Sequence, residues 1–255
     1  PPFILWVSFL LLTALVKAQT INPIADAYIR NGSYANTNYG TATSLVVKTS
    51  SVLGNTRYSL LQFDLTGITS TTVSAVTLKL YVTTSSSITI GAYPIVSSWG
   101  DTTVKWSNAP VAGSLITQTA IAGKGKYYSW DLTTYVKDSL AKGGTRFSFL
   151  LKDVASGGTD VIFNSREANS NKPQLVITPT LAAPTSLSAT PASSTQINLT
   201  WTDNANNETG YKVESKTATG SYALIATLGS NVTSYNHTGL SELTTYSYRV
   251  YAYNA

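Results

Sequence analysis

The chain has no cysteine, no methionine and a single histidine, His237, and charged side chains make up only 11% of its 255 residues. Each absence closes a class of chemistry. Without cysteine there is no disulfide framework, no thiolate nucleophile and no cysteine-held metal. With one imidazole, a histidine-rich metal centre cannot be built, and a Ser-His-Asp triad could form only around His237. That residue falls before a late strand and reads as a surface side chain in a loop. Lys and Arg form no run, and no helix concentrates them, which argues against a nucleic-acid partner.

What remains is a chain that is 43% hydrophobic and rich in Ser, Thr, Asn and Gly. Its length suits two modules, each able to bury a core. The formal net charge of +5 is unevenly shared. Residues 20–180 hold nine Lys and four Arg against seven Asp and one Glu, whereas residues 181–255 hold two Lys and one Arg against one Asp and three Glu. The basic excess therefore belongs to the first module, and such a surface raises the local concentration of anionic partners.

The apolar run from Phe3 to Val16, followed by Lys17-Ala18-Gln19, reads as a secretory signal peptide over residues 1–18. It is shorter than the roughly 20 apolar residues a membrane span needs, so no stable membrane insertion is expected once it is removed. With no initiator Met and no basic leader, this N-terminus reads as partial. The expected location is secreted, extracellular or at the cell surface.

Beyond it, period-two alternation dominates. In Val76-Thr77-Leu78-Lys79-Leu80-Tyr81-Val82 one parity is Val, Leu, Leu, Val and the other Thr, Lys, Tyr, the pattern of a half-buried strand. Similar segments are 45–48, 58–64, 87–94, 127–132, 147–152, 161–164 and 174–178, with turn-forming residues between them. One helix is expected where Leu132, Tyr135, Val136 and Leu140 recur at helical spacing, with Asp131 or Thr133 to cap it and Gly143-Gly144 to stop it. Many strands and one helix predict an all-β jelly-roll sandwich over residues 19–179.

The ordered motifs Ala25-Asp26-Ala27-Tyr28, Asn38-Tyr39-Gly40, Arg57 to Leu65, Ala75 to Tyr81, Trp99 to Trp106, Phe163 to Glu167 and Lys172 to Leu175 resemble the DNRLRE-type domain. As a set they are similar to carbohydrate-binding module family 96, related to the disaggregatase repeats. The resemblance implies a secreted jelly-roll module that binds polysaccharide, in some relatives the anionic polymer alginate.

Several residues are candidates for that role. A guanidinium holds a carboxylate through paired hydrogen bonds, which makes Arg57 and Arg166 candidate ligands for an acidic sugar. For Arg166, a structural pair with Glu167 or a nearby Asp is the competing reading. Tyr39 lies in polar, turn-rich sequence and is a candidate to stack on a pyranose, as are Tyr34 and Tyr127. Lys48 and Lys105 would add positive charge, with solvated surface as the alternative. Trp99 and Trp106 bracket a turn; a flat indole can cover the apolar face of a pyranose, but in this pattern both rings read first as clamps that hold the loop to the sandwich. Asp26, followed by Asn31, Asn36 and Asn38, offers oxygens to a structural calcium ion. Its spacing matches no defined calcium loop, and capping or turn hydrogen bonds compete with that reading.

Residues 180–184 read as a stiff linker between Pro179 and Pro184. In residues 185–255, Ile197 to Trp201, Gly210 to Glu214 and Leu243 to Ala252 resemble a fibronectin type III domain, an immunoglobulin-like sandwich incomplete at its C-terminus. The resemblance makes Trp201 the core tryptophan and Tyr246 the corner tyrosine. Ile197, Leu199 and Trp201 share one parity, and so do Tyr246, Tyr248, Val250 and Ala252, which suits two strands facing one core.

Catalysis is not expected within the chain. Glu167 is the only Glu of the first module, glycoside hydrolysis by the usual route needs a held pair of carboxylates, and no motif places Asp101 with Asp131 or Asp153 with Asp160. Any catalytic part is expected beyond Ala255. The leading expectation is therefore non-catalytic binding of a polysaccharide, preferentially an acidic one, with the second module as a spacer. The alternatives are a structural, adhesive or filament-forming surface protein that self-assembles, and a fragment of a polysaccharide lyase or hydrolase.

Overall fold

Alternation along the sequence becomes a buried stripe in the structure. Val76, Leu78, Leu80 and Val82 are fully buried, whereas Thr77, Lys79 and Tyr81 between them are half-exposed. The computed structural model describes residues 18–84, 87–155, 158–205 and 207–254. The expected signal peptide, residue 18 apart, lies outside the described residues. Two units emerge, Ala18–Pro179 and Thr180–Ala255, each with its own core.

In chain order the first unit contains β1 (Gln19–Ile21), β2 (Ala25–Arg30), β3 (Ser44–Val47), β4 (Arg57–Asp64), β5 (Val73–Val82), β6 (Ser87–Ile95), β7 (Thr117–Ala122) and β8 (Lys126–Asp131). Helix α1 (Thr133–Ala141) follows, then β9 (Arg146–Asp153), β10 (Val161–Asn164) and β11 (Gln174–Pro179). All strand pairs are antiparallel. One sheet runs β2-β4-β9-β6-β7. In the other, β5 pairs with β8 along one edge and with β11 and then β10 along the other, with β1 and β3 outermost. This is the expected all-β jelly-roll sandwich with one short helix. Its inner faces meet through Phe63, Phe149, Trp130 and Phe163, and the buried Trp130 indole donates to the Ile90 carbonyl at 2.8 Å.

Helix α1 forms where its periodicity predicts. Asp131 accepts the Thr133 N–H at 2.9 Å, satisfying a donor that the first turn leaves unpaired. At the other end Gly143 takes φ +84°, and the N–H groups of Gly143 and Gly144 return to the carbonyls of Leu140 and Ser139. That is a Schellman stop, which needs the left-handed residue that glycine supplies.

The strands that alternation does not reveal are β1, β2 and β7. In β2 the residues Ala25, Asp26 and Ala27 are all buried, so burial alternates only over the last four residues, Ala27 to Arg30, too short a stretch to stand out. Strand β7, Thr117-Gln118-Thr119-Ala120-Ile121-Ala122, is a mostly exposed or half-exposed edge strand with one buried side chain, Ile121.

The second unit has β12 (Thr185–Ser193), β13 (Gln196–Thr202), β14 (Gly210–Thr217), β15 (Ala223–Gly229), β16 (Ser234–Thr238) and β17 (Tyr246–Tyr253). They form two sheets, β12-β13-β16 and β15-β14-β17. Leu199, Trp201, Tyr211, Tyr248 and Val250 fill the core between them. The Tyr246 hydroxyl accepts the Ser241 N–H at 3.1 Å, the tyrosine-corner bond. Leu181 packs on this core and Asn204 donates to the Ala183 carbonyl, so the 180–184 segment is pinned to the second unit.

His237 departs from the expectation of a surface loop residue. It lies on β16, half-buried, with Nδ1 3.0 Å from the Tyr248 hydroxyl and Tyr235 and Tyr246 around it. A tyrosine-rich surround hides the imidazole without a charged partner, and burial lowers its pKa below 6.5. Protonation is thus harder in the folded than in the unfolded chain. The stability this group contributes is present above about pH 6.5 and is lost as pH falls through the lower folded value. Thermal unfolding followed from about pH 7 to pH 5 should show the second module weakening, and His237→Gln should flatten that slope.

Candidate functional site

At the start of β4, Arg57 forms a two-bond bridge with Lys48, each backbone N–H reaching the other's carbonyl at 2.8–2.9 Å. Their side chains converge on one carboxylate. Arg57 Nη1 lies 3.0 Å and Lys48 Nζ 3.7 Å from Asp160 Oδ1, with side-chain exposures of 15% and 18%. Arg30 pairs with Arg57 in the β2–β4 register, donates from Nε to the Gly54 carbonyl at 2.7 Å, and places its guanidinium carbon 3.5 Å from the centre of the Tyr34 ring. Tyr28, on the same parity of β2, stacks on Tyr39 with ring centres 4.1 Å apart and planes 19° apart. Burial and the Tyr39 hydroxyl raise the Tyr28 pKa, while Arg57 and Arg30 pull it down.

The structure thus joins Arg57, Lys48 and Tyr39 from the sequence candidates. It adds Arg30, Tyr28, Tyr34 and Asp160. Arg30 and Tyr28 were legible in principle, because Asp26, Tyr28 and Arg30 share one parity of β2, opposite Ala25, Ala27 and Ile29. The loops meet here through Gly32, at φ +68°. A Cβ on Gly32 would lie 2.6 Å from the Gly54 backbone, so a larger residue would push away the carbonyl that holds Arg30.

Arg166 sits in a different arrangement. Its Nη2 contacts Asp101 Oδ2 at 2.8 Å, its Nε contacts Glu167 Oε1 at 2.7 Å, and its Nη1 donates to the Ile24 carbonyl. Its backbone N–H donates to Asp26 Oδ2 at 2.8 Å. One side chain therefore ties together the entry to β2, the β6–β7 connection and the segment after β10. The fully buried Asp26 has its carboxyl pushed up to about 7 by burial, against the Arg166 N–H bond, with the neighbouring Glu167 carboxyl raising it further. The neighbouring Asp26 and Glu167 carboxyl groups suit a shared proton, and among the described residues no three His, Cys, Asp or Glu side chains are grouped so that they could hold a metal ion. The neighbouring Asn side chains serve loop contacts. Asn31 accepts the Thr56 N–H at 3.0 Å, Asn36 accepts from Ser107, and Asn38 donates to the carbonyls of Asp101 and Val104.

Lys105 lies on the β6–β7 connection, partly exposed and without an ion pair among the described residues. Trp99 and Trp106, on the same connection, pack against a second apolar cluster on the outer face of the five-stranded sheet, built from Ala27, Ile29, Leu60, Ile95, Val104 and Leu150.

Fold and site together define a two-module all-β protein whose first sandwich presents clustered cations and stacked tyrosines and whose second is a fibronectin-like unit. Residues 17–179, more than half of the chain, match carbohydrate-binding module family 96, and residues 182–255 match the fibronectin type III domain. The chain belongs to carbohydrate-binding module family 96, with a fibronectin type III domain following. A gellan lyase from a Bacillus species is 31% identical over 133 residues, a stretch that covers 49% of this chain and 5% of the relative. Among solved structures, a two-domain fibronectin type III segment of chicken tenascin overlaps at TM-score 0.30 and 12% identity, covering 83% of this chain and 90% of that one. A β-1,2-glucanase from Parabacteroides distasonis overlaps at the same TM-score and identity, covering 94% of this chain and 34% of that one.

Two substitutions separate the roles of this region. Asp26→Asn keeps an acceptor for the Arg166 N–H and gives Glu167 a permanent donor. An acid whose folded pKa is raised favours the fold below its unfolded value, near 3.8, and loses that contribution as pH rises through about 7. Asp26→Asn should therefore raise the melting temperature of the first module at pH 8 by several degrees and remove its decline between about pH 4 and pH 7. Arg166→Ala should destabilise the same module by about 2–3 kcal/mol in denaturant unfolding, because three acceptors lose a charged donor.

Proposed function

We propose that the chain is a non-catalytic polysaccharide-binding part of a secreted protein, that its first module prefers an acidic polymer, and that the fibronectin type III module serves as a spacer. Family membership supports carbohydrate binding, and both matched modules are of non-catalytic, typically extracellular types. Among the described residues no helix is long and apolar enough to cross a membrane. The observation that carries the acidic preference is the cluster of Lys48, Arg57 and Arg30 beside the Tyr28–Tyr39 stack, with the Asp160 carboxylate bound between Lys48 and Arg57. A uronate carboxylate is chemically the same group. It would meet preorganised donors there, with a flat aromatic surface alongside for the apolar side of a sugar ring.

In this reading Arg57, Lys48 and Tyr39 are ligand residues, and Lys105 adds positive charge on the β6–β7 connection. Arg166 acts through the loops it clamps. The similarity to a gellan lyase supports a polysaccharide context, over a stretch that is 5% of that relative's length.

Titrating the full chain with a polyuronate and with a neutral glucan, at low and high salt, tests the proposal. The polyuronate should bind, binding should weaken as salt screens the exposed charges, and Lys48→Ala with Arg57→Ala should lower the affinity about tenfold or more. If no polysaccharide binds, and the protein instead associates with itself as its concentration rises, the structural or adhesive reading takes its place.

A further inference from the structure

Arg57 and Tyr58 are consecutive on β4, so their side chains leave opposite faces of the sheet. Arg57 belongs to the cation cluster. Tyr58 packs on the outer apolar cluster, where the β6–β7 connection arches over the five-stranded sheet. Between connection and sheet is an open groove of about 260 Å³. Its floor is Ile29 and Leu150, its walls are Tyr58, Trp106 and Pro110, and its one charged lining residue is Lys152.

The geometry of these walls is specific. The Tyr58 and Trp106 rings have centres 5.1 Å apart and planes inclined by 36°, so they make one shallow, folded aromatic surface. Burial raises the Tyr58 pKa, with Thr49, Tyr93 and Asp153 as the groups that act on its hydroxyl. Lys152 Nζ is held over the Tyr93 ring at 4.3 Å, which fixes the ammonium at the groove without neutralising it. No carboxylate lines the groove. Its volume falls just below the roughly 300–1,000 Å³ of pockets that enclose drug-sized ligands, which suits one hexose-sized ring.

We propose that this groove is a second glycan site, on the face opposite the Lys48–Arg57 cluster, and that it takes one pyranose ring bearing a carboxylate. The C–H face of the ring lies on Tyr58 and Trp106, and its carboxylate points to Lys152. This rests on the polysaccharide-binding reading above and adds a place and a residue-level specificity to it. The occupant follows from the groove: apolar and aromatic surface fits the flat side of a sugar, and the single cation fits an acid group. Trp106, which the sequence casts as a clamp, both packs on the cluster and lines the groove.

The test titrates the full chain with a short uronic-acid oligosaccharide and its neutral counterpart, read by calorimetry and by tryptophan fluorescence, with a polyuronate in parallel. Trp106→Ala should weaken the uronate oligosaccharide tenfold or more, on the scale of a lost ring stack. Lys152→Ala, which spares the packing, should weaken the uronate oligosaccharide severalfold and leave the neutral one unchanged. Lys79→Ala, on the other sheet, should change neither. If Lys48→Ala with Arg57→Ala weakens the polyuronate while Trp106→Ala and Lys152→Ala change no affinity, the groove is not a site and the proposed function stands. If both oligosaccharides weaken equally in Lys152→Ala, the carboxylate assignment is overturned. If the unaltered chain binds no uronate in either form, the proposed function fails and the groove proposal with it.

Discussion

Strand β4 has almost no solvent face, and the first module is arranged around that constraint. Leu61 and Phe63 enter the core between the sheets, Leu60 enters the cluster on the other side, and Ser59, also buried, donates to the Val46 carbonyl at 2.9 Å. A strand buried on both sides must be covered on both sides. The second sheet covers one, and the β6–β7 connection covers the other. In a chain without cysteine, this double coverage does the work that a disulfide does in many small extracellular domains. The strand reaches partial exposure at its ends, and at its start the side chains of Arg57 and Tyr58 emerge on opposite faces.

Coverage by a loop is only as good as the loop's attachment. Arg166 supplies much of it by joining Ile24, Asp101 and Glu167, and Asn38 supplies more through the carbonyls of Asp101 and Val104. At Gly40 the approach is so close that a Cβ would lie 2.0 Å from the Asp101 carbonyl oxygen. The polar network at Asp26 is therefore best understood as the fastening of a lid that has apolar surface beneath it. Burial of Asp26 is the cost of that fastening. A raised carboxyl pKa in the first module and a lowered imidazole pKa in the second give the two sandwiches opposite responses to acid.

How much of this the sequence carries depends on whether a residue's partners are near it in the chain. The strand pattern of β5, β4 and β9 and the caps of α1 are local, and alternation and turn chemistry reveal them. Two of the motifs behind the resemblance to family 96 have a direct structural reading, since Arg57 to Leu65 contains β4 and Phe163 to Glu167 includes the Arg166 clamp. What the sequence leaves open is long-range. Asp160 meets Lys48 and Arg57 across more than a hundred residues, and the Arg166 to Ile24 bond spans 142. No local pattern distinguishes an arginine aimed at a ligand from one aimed at a distant carbonyl. In sequence His237 looks like a lone surface imidazole for the same reason, because its partner Tyr248 lies on another strand.

The two faces differ in the physics by which they would hold a sugar. In the Lys48–Arg57 cluster an incoming carboxylate competes with Asp160, so affinity there depends on exchanging one anion for another. Such an exchange is weak for a single sugar and sensitive to salt. It becomes effective when a polymer presents many carboxylates at once. In the groove there is no internal anion to displace, and most of the contact area is apolar carbon, so binding would depend mainly on ring stacking and respond to ionic strength only through the single Lys152 pair. A polymer engaging both would gain charge-driven capture from one face and ring-by-ring selection from the other. The chain spacing between the two contacts would then decide which polysaccharides can use them together.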